Sequence, residues 1–431
     1  MTCIAGIDFG TSNSAVSISI DFNEPKLIKF EYEGKKYNTI PTVVSFCDDN
    51  RVLYGRAAID AYQQGDVAEK GRFIRSIKRI VSNNLHLYDS TRIGLKNGHF
   101  LDIVKNFFAY LKTHTEKEIG QTIDYVVIGR PVVFVDNNKN ADLETENEIR
   151  KIAEEIGFKN IAFQYEPIAA AFAYEQKINN ERLALIVDIG AGTSDFSVIK
   201  MLPKSNSQHD RQCDILANTG INIAGDDFDY DFSLHSFMKH FGYRTQYKTF
   251  ESSMTLPGGI FHHLSNWTQY TPEEIQEEMN KYHNAWNNAY ETKCIDRLKN
   301  IVDTYSKYDL LTKIENTKIY LSDKPEKHLD LGYADNNCPV NISRDDLEIA
   351  LHESLDKIQD KINECIEKSG KSKKDIQTII FTGGSSQIPL LQLNIINMFP
   401  HITPENIIKT DVFSSVCVGL AYHGMNIWRK K

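Results

Sequence analysis

The stretch DIGAGTSDF at 188–196 is where the fold of this chain is decided. It follows an apolar run, LALIV at 183–187, that reads as a buried strand. A strand that ends in an acid and then meets two glycines is turning sharply. Gly190 and Gly192, on either side of Ala191, accept positive φ and carry no side chain, so the backbone can close on a bulky anion. Thr193 and Ser194 add hydroxyl donors, and Asp188 and Asp195 place carboxylates at the two ends of the turn. An apolar strand resumes over 196–200. A phosphate cradled by amides and flanked by carboxylates needs a cation between them, and Mg²⁺ suits oxygen ligands of this kind. Taken alone, such a hairpin is a weak signal and is more often plain turn chemistry.

A near-copy at the start of the chain changes that balance. IDFGTSNS at 7–14 has the same grammar: apolar strand, Asp8, apolar residue, Gly10, then hydroxyls, then a strand alternating through Val16, Ile18 and Ile20. One element used twice implies two lobes, each offering a phosphate-binding hairpin and a carboxylate, with a nucleotide in the cleft between them.

The chain has 431 residues, enough for more than one compact unit. It is 41% hydrophobic and 25% charged, as an ordinary globular protein is. A net charge of −9 argues against nucleic acid as the main partner. The seven cysteines are scattered without a CxxC pair, which fits neither a zinc site nor a disulfide framework and suits a reducing compartment. The first residues enter a strand at once, so no signal peptide is expected. No apolar run reaches the roughly 18–20 residues of a membrane span. The expectation is a cytoplasmic protein with no membrane partner.

Along the chain, 2–8, 14–20, 26–30 and 42–46 read as strands of a meander, with Glu33-Gly34-Lys35 as a turn and Pro41 at a strand edge. Arg72, Arg75 and Arg79 share one helical face, with Lys78 beside them, and a solvated basic face is the bland account. A helix is expected over 102–117, a strand at 125–128 ending in Gly129-Arg130-Pro131, a helix closed by Gly157, and a strand at 160–165. An Ala-rich helix opens at Glu166-Pro167. Further on come a strand at 214–219, a turn at Gly225-Asp226, and a helix capped by Thr271 whose face carries Ile275, Met279, Tyr282, Trp286 and Ala289. That stripe reads as core. His262-His263 are adjacent and poorly placed to share one metal ion. Strands flank a turn at 328–342, and a capped helix starts near Ser343. A buried strand at 378–382 runs into Gly383-Gly384-Ser385-Ser386 and a helix, a third glycine-rich turn where free amides favour an anion. A final helix is expected over 411–424.

Together these motifs resemble the ATPase domain of the DnaK-type heat-shock chaperones, in the actin-like superfamily. GIDFGTSNS at 6–14 and VDIGAGTSDFSVI at 187–199 are similar to the family's two phosphate loops. YEPIAAAFAY at 165–174 is similar to its connecting helix, AGDDFD at 224–229 to its Gly-Gly-x-Asp-Phe-Asp turn, and FTGGSSQIP at 381–389 to its adenosine motif. IGRPV at 128–132 looks most like the short YegD-like relatives. The resemblance implies an α/β, ribonuclease-H-like fold. Lobe I would cover 1–182 with an inserted subdomain at about 34–115. Lobe II would cover 183–410 with an inserted helical subdomain at about 226–320, and 411–431 would return to lobe I.

The resemblance also implies residue roles. Gly10, Thr11, Ser12 and Asn13, with Gly190, Ala191, Gly192 and Thr193, would hold the β- and γ-phosphates. Asp8 and Asp188 would hold Mg²⁺ through its waters, and Glu166 would reach the same shell. Lys78 would contact the γ-phosphate and the attacking water, which Thr193 and Asp195 would help position. Pro131 falls at the proline that couples nucleotide state to the rest of the molecule. Gly225, Gly383, Gly384, Ser385, Gln387 and Asp411 would line the nucleotide, and Glu315, Lys318 and Ser322 would meet the adenosine. ATP or ADP, Mg²⁺ and K⁺ are the implied cofactors, and slow ATP hydrolysis by a monomer the implied activity.

Three departures stand out. The interdomain linker and peptide-binding domain have no counterpart before Lys431, so the expectation is a chaperone-like ATPase without a peptide grip of its own. The two arginines that sandwich adenine in the family are matched by Ile319 and Gln387. The stretch 226–315 is longer than the family's helical subdomain and is a candidate site for an unknown protein partner. A non-hydrolytic nucleotide sensor and an MreB-type filament protein remain as alternatives. A sugar kinase shares the cleft, but no acceptor site is identifiable.

Overall fold

Two hairpins seed two sheets of the same order in the computed structural model. The structure describes residues 1–64, 67, 72–78, 90–93, 96–132, 134, 139–175, 178–203, 211–267, 272–304, 306–331, 338–409 and 415–429. In the first sheet the neighbours run Lys26–Leu27, Asn13–Ile20, Cys3–Phe9, Tyr125–Arg130 and Asn160–Tyr165. In the second they run Ile215–Ile221, Ser194–Met201, Arg182–Ile189, Thr378–Thr382 and Ile407–Lys409. Each sheet has two antiparallel pairings followed by two parallel ones. Asp8 and Asp188 are each the penultimate residue of the central strand. The internal duplication that the two hairpins implied is therefore a property of the whole topology.

The central strands are apolar throughout because they are covered on both faces; every residue of Thr378–Thr382 is buried. The helices Glu166–Glu175 and Ser415–Trp428 form one core with both sheets, joining Ile4 and Val127 to Ile186, Ile199 and Ile380 through Ile168, Phe172 and Leu420. Their approach depends on glycine. A Cβ on Gly419 would lie 1.8 Å from the Ala169 carbonyl oxygen, and one on Gly6 would lie 2.5 Å from that of Cys417. Ser17 Oγ donates to the same Cys417 carbonyl at 2.7 Å. A second core contains Phe9 and the fully buried Phe107 and Phe108 of the helix Phe100–Ile119, with ring centroids 5.9 and 4.9 Å from Phe9. Burying a phenylalanine of this kind contributes about 1.5–3 kcal/mol.

The chain divides into two compact units. The first comprises Met1–Asn222, Asp360–Gln387 and Ile395–Lys431 and contains both sheets; the second comprises Ile223–Gln359 and Ile388–Asn394. The second is mainly helical, with Gly225–Phe232, Gly259–Ser265, Thr292–Asp303 and Lys307–Asp323 burying Phe228, Phe232, Phe261, Leu298, Leu310 and Ile314.

Several sequence expectations need correction. The strand read at 26–30 is two short strands, Lys26–Leu27 and Phe30–Tyr32, which join different sheets. Arg72 and Arg75 do not share a helical face: Arg72–Arg75 is a strand paired with Val43–Phe46, and Ile74 points into the core. Arg79 lies outside the described residues. Gly225-Asp226 opens the helix Gly225–Phe232 rather than forming a free turn, and Asp227 Oδ2 accepts from the Ala224 amide at 3.0 Å. The helix through 275–289 breaks at Tyr282 into Pro272–Lys281 and His283–Asn287, although Ile275, Met279, Trp286 and Ala289 are core as read. Thr271 is outside the described residues. The final helix, Ser415–Trp428, continues past Gly424, which packs flat on Ile4 and Val127 instead of ending it.

Candidate functional site

The first unit gathers its charged side chains where the two central strands end. Asp8 comes from Cys3–Phe9 and Asp188 from Arg182–Ile189, directly across the hairpin from Asp195. Glu166 stands in the first turn of Glu166–Glu175, immediately after the strand Asn160–Tyr165. Lys78 follows a backbone reversal. Ser76 is held at φ 58°, a left-handed conformation unusual for serine, and Ile77 beside it is fully buried. The local strain is fixed by packing, a pattern that accompanies functional sites. Lys78 Nζ donates to Glu166 Oε1 at 2.8 Å, with the two side chains only 14% and 10% exposed.

These groups perturb one another. Burial, then the charge of Glu166, pushes the Asp8 carboxyl up to about 7, with Lys78 pulling the other way. Burial, followed by the charges of Glu166, Asp195 and Asp8, pushes Asp188 well above the ordinary carboxylate range. Burial alone would lower the Lys78 ammonium, but Glu166, Asp8 and Asp188 together hold it above its usual value. Among the described residues, three carboxylates thus act on the Lys78 ammonium, with Asp195 adding charge beside Asp188. That excess of negative charge in a buried place is what a divalent cation relieves.

The loops around this cluster fit a phosphate. A Cβ on Gly10 would lie 2.2 Å from the Asn13 carbonyl oxygen, so only glycine closes that turn. Ser12 Oγ is buried and has no hydrogen-bond partner among the described residues, leaving an oriented hydroxyl for a ligand. The Gly190 amide donates to the Thr193 carbonyl at 3.0 Å, which shapes the second loop around Ala191 and Gly192. Gly383, at φ 79°, brings the third loop against the site: a Cβ there would meet Asp188 Oδ1 at 2.5 Å and the Ile189 carbonyl oxygen at 2.4 Å. Gly384–Gln387 is a short 3₁₀ turn in which Ser386 is buried and donates to the Gly383 carbonyl. The expected helix begins only after it, at Pro389–Asn397.

Among the described residues no three His, Cys, Asp or Glu side chains are arranged to hold a metal by themselves. The donors present, Asp8 and Asp188 with buried hydroxyls nearby, fit an ion that keeps most of its waters. His262 is occupied otherwise, its Nδ1 hydrogen-bonded to the Tyr230 hydroxyl at 2.5 Å.

The residues matched to adenosine contacts lie partly in the second unit. There Lys318 Nζ pairs with Asp229 Oδ1 at 2.7 Å and donates to the Gly225 carbonyl at 3.0 Å, so two of the expected residues meet. Trp267 Nε1 donates to Asp229 Oδ2 at 3.0 Å. Burial pushes Asp229 up to about 6 against the opposing pull of Lys318, and Glu315 adds to the rise. Ser322 Oγ is turned back to the Lys318 carbonyl at 3.2 Å. Ile319 is 58% exposed. Gln387 is exposed too, and Asp411 lies outside the described residues.

Two glycines approach the candidate carboxylates without the sequence having assigned them that part; Gly129, read as the end of a strand, lies inside it. Gly129 faces Glu166, where a Cβ would lie 3.3 Å from Cγ, and Gly220 faces Asp195, where a Cβ would lie 3.0 Å from Oδ1. Both are single glycines inside strands, which is the usual mark of close approach.

Comparison with known proteins agrees with this geometry. The Hsp70 protein family model matches residues 285–425, and the MreB/Mbl protein model matches residues 95–246. These matches, with the paired α/β sheets described above, support a DnaK-type, actin-like ATPase fold. The chaperone protein DnaK of Mycoplasmopsis synoviae is 25% identical over 396 residues, covering 90% of this chain and 53% of that protein. DnaK of Mycoplasmoides gallisepticum is 24% identical over 424 residues, covering 98% and 59%. DnaK of Carsonella ruddii is 25% identical over 436 residues, covering 96% and 61%. The chain therefore spans between half and two-thirds of the length of these relatives. Among its described residues no helix is long and apolar enough to cross a membrane.

Proposed function

We propose that this DnaK-type domain binds ATP with Mg²⁺ and hydrolyses it slowly, as a nucleotide-governed switch read by a protein partner. The observation that carries the reading is the Lys78–Glu166 pair closed beside Asp8 and Asp188. Phosphoryl transfer to water depends on charge neutralisation and an aligned nucleophile more than on covalent chemistry. Mg²⁺, when bound, supplies charge neutralisation at the phosphates, and Asp8 and Asp188 would hold it through its waters. The amides of Gly10 to Asn13 and of Gly190 to Thr193 would orient the phosphate oxygens, with Ser12 Oγ adding a donor. Lys78 would bring its ammonium to the γ-phosphate while Glu166 keeps it in line. Asp195 and Thr193 would orient the water and take up its hydrogen bond. In the first unit Gly383, Gly384, Ser385 and Gln387 would receive the ribose and α-phosphate; the resemblance assigns Glu315, Lys318 and Ser322 of the second unit to the adenosine. The stretch 226–315 is the surface on which we would seek the partner.

The test is calorimetric binding of ATP, ADP and GTP with Mg²⁺, followed by phosphate release from the same samples. Adenine-selective binding with slow release is expected. Tight binding without phosphate release would make the chain a sensor, and absence of binding would remove the proposal.

The MreB/Mbl match over 95–246 favours one second reading, an actin-like polymer. ATP-dependent pelleting in a sedimentation assay would establish it; a chain that stays in the supernatant at every nucleotide state would exclude it.

A further inference from the structure

Arg130 is, among the described residues of the first unit, a heavily engaged charged side chain that the reading above leaves without a part. It ends the strand Tyr125–Arg130 and is only 6% exposed. Its Nη2 donates to Asp142 Oδ2 at 2.7 Å and its Nη1 to Glu146 Oε2, both carboxylates standing one turn apart on the helix Lys139–Glu155. Its Nε donates to the Pro131 carbonyl at 3.1 Å, and Nη2 also reaches the Val132 carbonyl at 3.5 Å. The guanidinium carbon lies 4.8 Å from the Phe134 ring centroid and 5.2 Å from that of Tyr165. Asp142 in turn accepts from the Phe134 amide. One planar fork therefore ties the end of a strand, the segment after it and a helix into a single body, which a lysine's point charge cannot do.

What this body holds is Glu166. Arg130 pairs in register with Tyr165, the residue before Glu166, and Gly129 pairs with Gln164. A Cβ on Gly129 would lie 3.6 Å from Glu166 Oε1, the same oxygen that accepts from Lys78. The carboxylate is thus bracketed by a strand end whose position the Arg130 fork sets.

We propose that Arg130 is a positioning residue: through Asp142 and Glu146 it fixes the strand end and Tyr165 so that Glu166 meets Lys78. The functional consequence rests on the proposed ATPase reading, but the geometric one does not. The experiment separates them. The ¹⁵N-detected ammonium signal of Lys78, assigned by its loss in Lys78→Ala, is recorded without nucleotide. A lysine held by a carboxylate exchanges its protons slowly enough to be seen. Arg130→Met is expected to abolish or shift that signal, Arg130→Lys to restore it only in part, and phosphate release to fall about tenfold or more while ATP affinity changes less than twofold. Should Arg130→Met not fold, the carboxamide variant Asp142→Asn/Glu146→Gln is expected to move the Lys78 signal in the same direction. A folded variant of either kind with an unchanged Lys78 signal overturns the proposal. A moved signal in a protein whose wild type releases no phosphate keeps the positioning role and overturns the ATPase reading alone.

Discussion

Lys78 in the first unit and Lys307 in the second are both largely buried, yet their surroundings drive them in opposite directions. Lys78 stands among Glu166, Asp8 and Asp188 and is held charged beyond its usual range. Lys307, 5% exposed, is pulled down to about 8 by burial, which the charge of Glu274 offsets only in part. Its ammonium lies 5.7 Å from the Tyr308 ring centroid. Lys318 is buried as well, pairing with Asp229 and donating to the Gly225 carbonyl. Burial alone marks a cost in stability; a surplus of carboxylates around one ammonium marks a place that waits for a cationic ligand.

The largest test of that contrast is Lys78→Ala. It should lower phosphate release by about a hundredfold or more, the scale expected when a charge aimed at a developing anion is removed. Nucleotide affinity should change far less. Equal losses in binding and release would place Lys78 with the uniform binding contacts instead. The next largest effect belongs to Lys318→Met, which strands the Asp229 carboxylate in the interior and should lower stability by about 3 kcal/mol in urea unfolding. Adding Asp229→Asn should recover much of that loss, and a single variant as stable as wild type would show that the pair contributes nothing.

Lys307→Met should act in the opposite sense, raising stability by about 1–2 kcal/mol at neutral pH, because it removes a charge that burial penalises. The pH profile carries the sign. With a folded value near 8 against an ordinary 10.5, the unfolded chain keeps its proton in that window after the folded chain has lost it. Stability from this group therefore climbs as pH rises from 8 toward 10.5, and the variant should lack the climb. A flat wild-type profile would mean that Lys307 carries no burden. The smallest effect is expected from Ile319→Arg, which restores a stacking cation and should tighten ATP by about 0.5–2 kcal/mol while leaving GTP less changed. Calorimetry on the two nucleotides reads it directly.

The phosphate loops were legible because glycine placement is a local constraint. Gly10 and Gly383 mark close approaches that exclude a side chain, and the duplicated aspartates announce the sheet duplication. The fork of Arg130 was hidden because its partners are set by packing; the spacing of Asp142 and Glu146 on one helix face was the available signal. Arg72 and Arg75 misled because a three-residue interval fits a helix face, and a four-residue strand is too short to display its own alternation; pairing with Val43–Phe46 decides it. The break at Tyr282 was invisible for a similar reason, since Met279 and Trp286 keep a helical interval on both sides of it. The resemblance supplied roles for Glu315, Lys318 and Ser322, but not the Lys318–Asp229 pair that occupies the one cation among them.

The glycine-stitched packing of Ser415–Trp428 on the strand Cys3–Phe9 has a consequence for biosynthesis. Ser17 and Cys417 are joined across 400 positions, and Ile4 is completed as core by Leu420 and its neighbours. Contacts of such sequence separation form late and slowly. On the ribosome, the earliest strand of this protein emerges long before the helix that covers it has been translated. Through that interval its apolar face lacks the helix that covers it in the folded protein, which leaves the nascent segment prone to association.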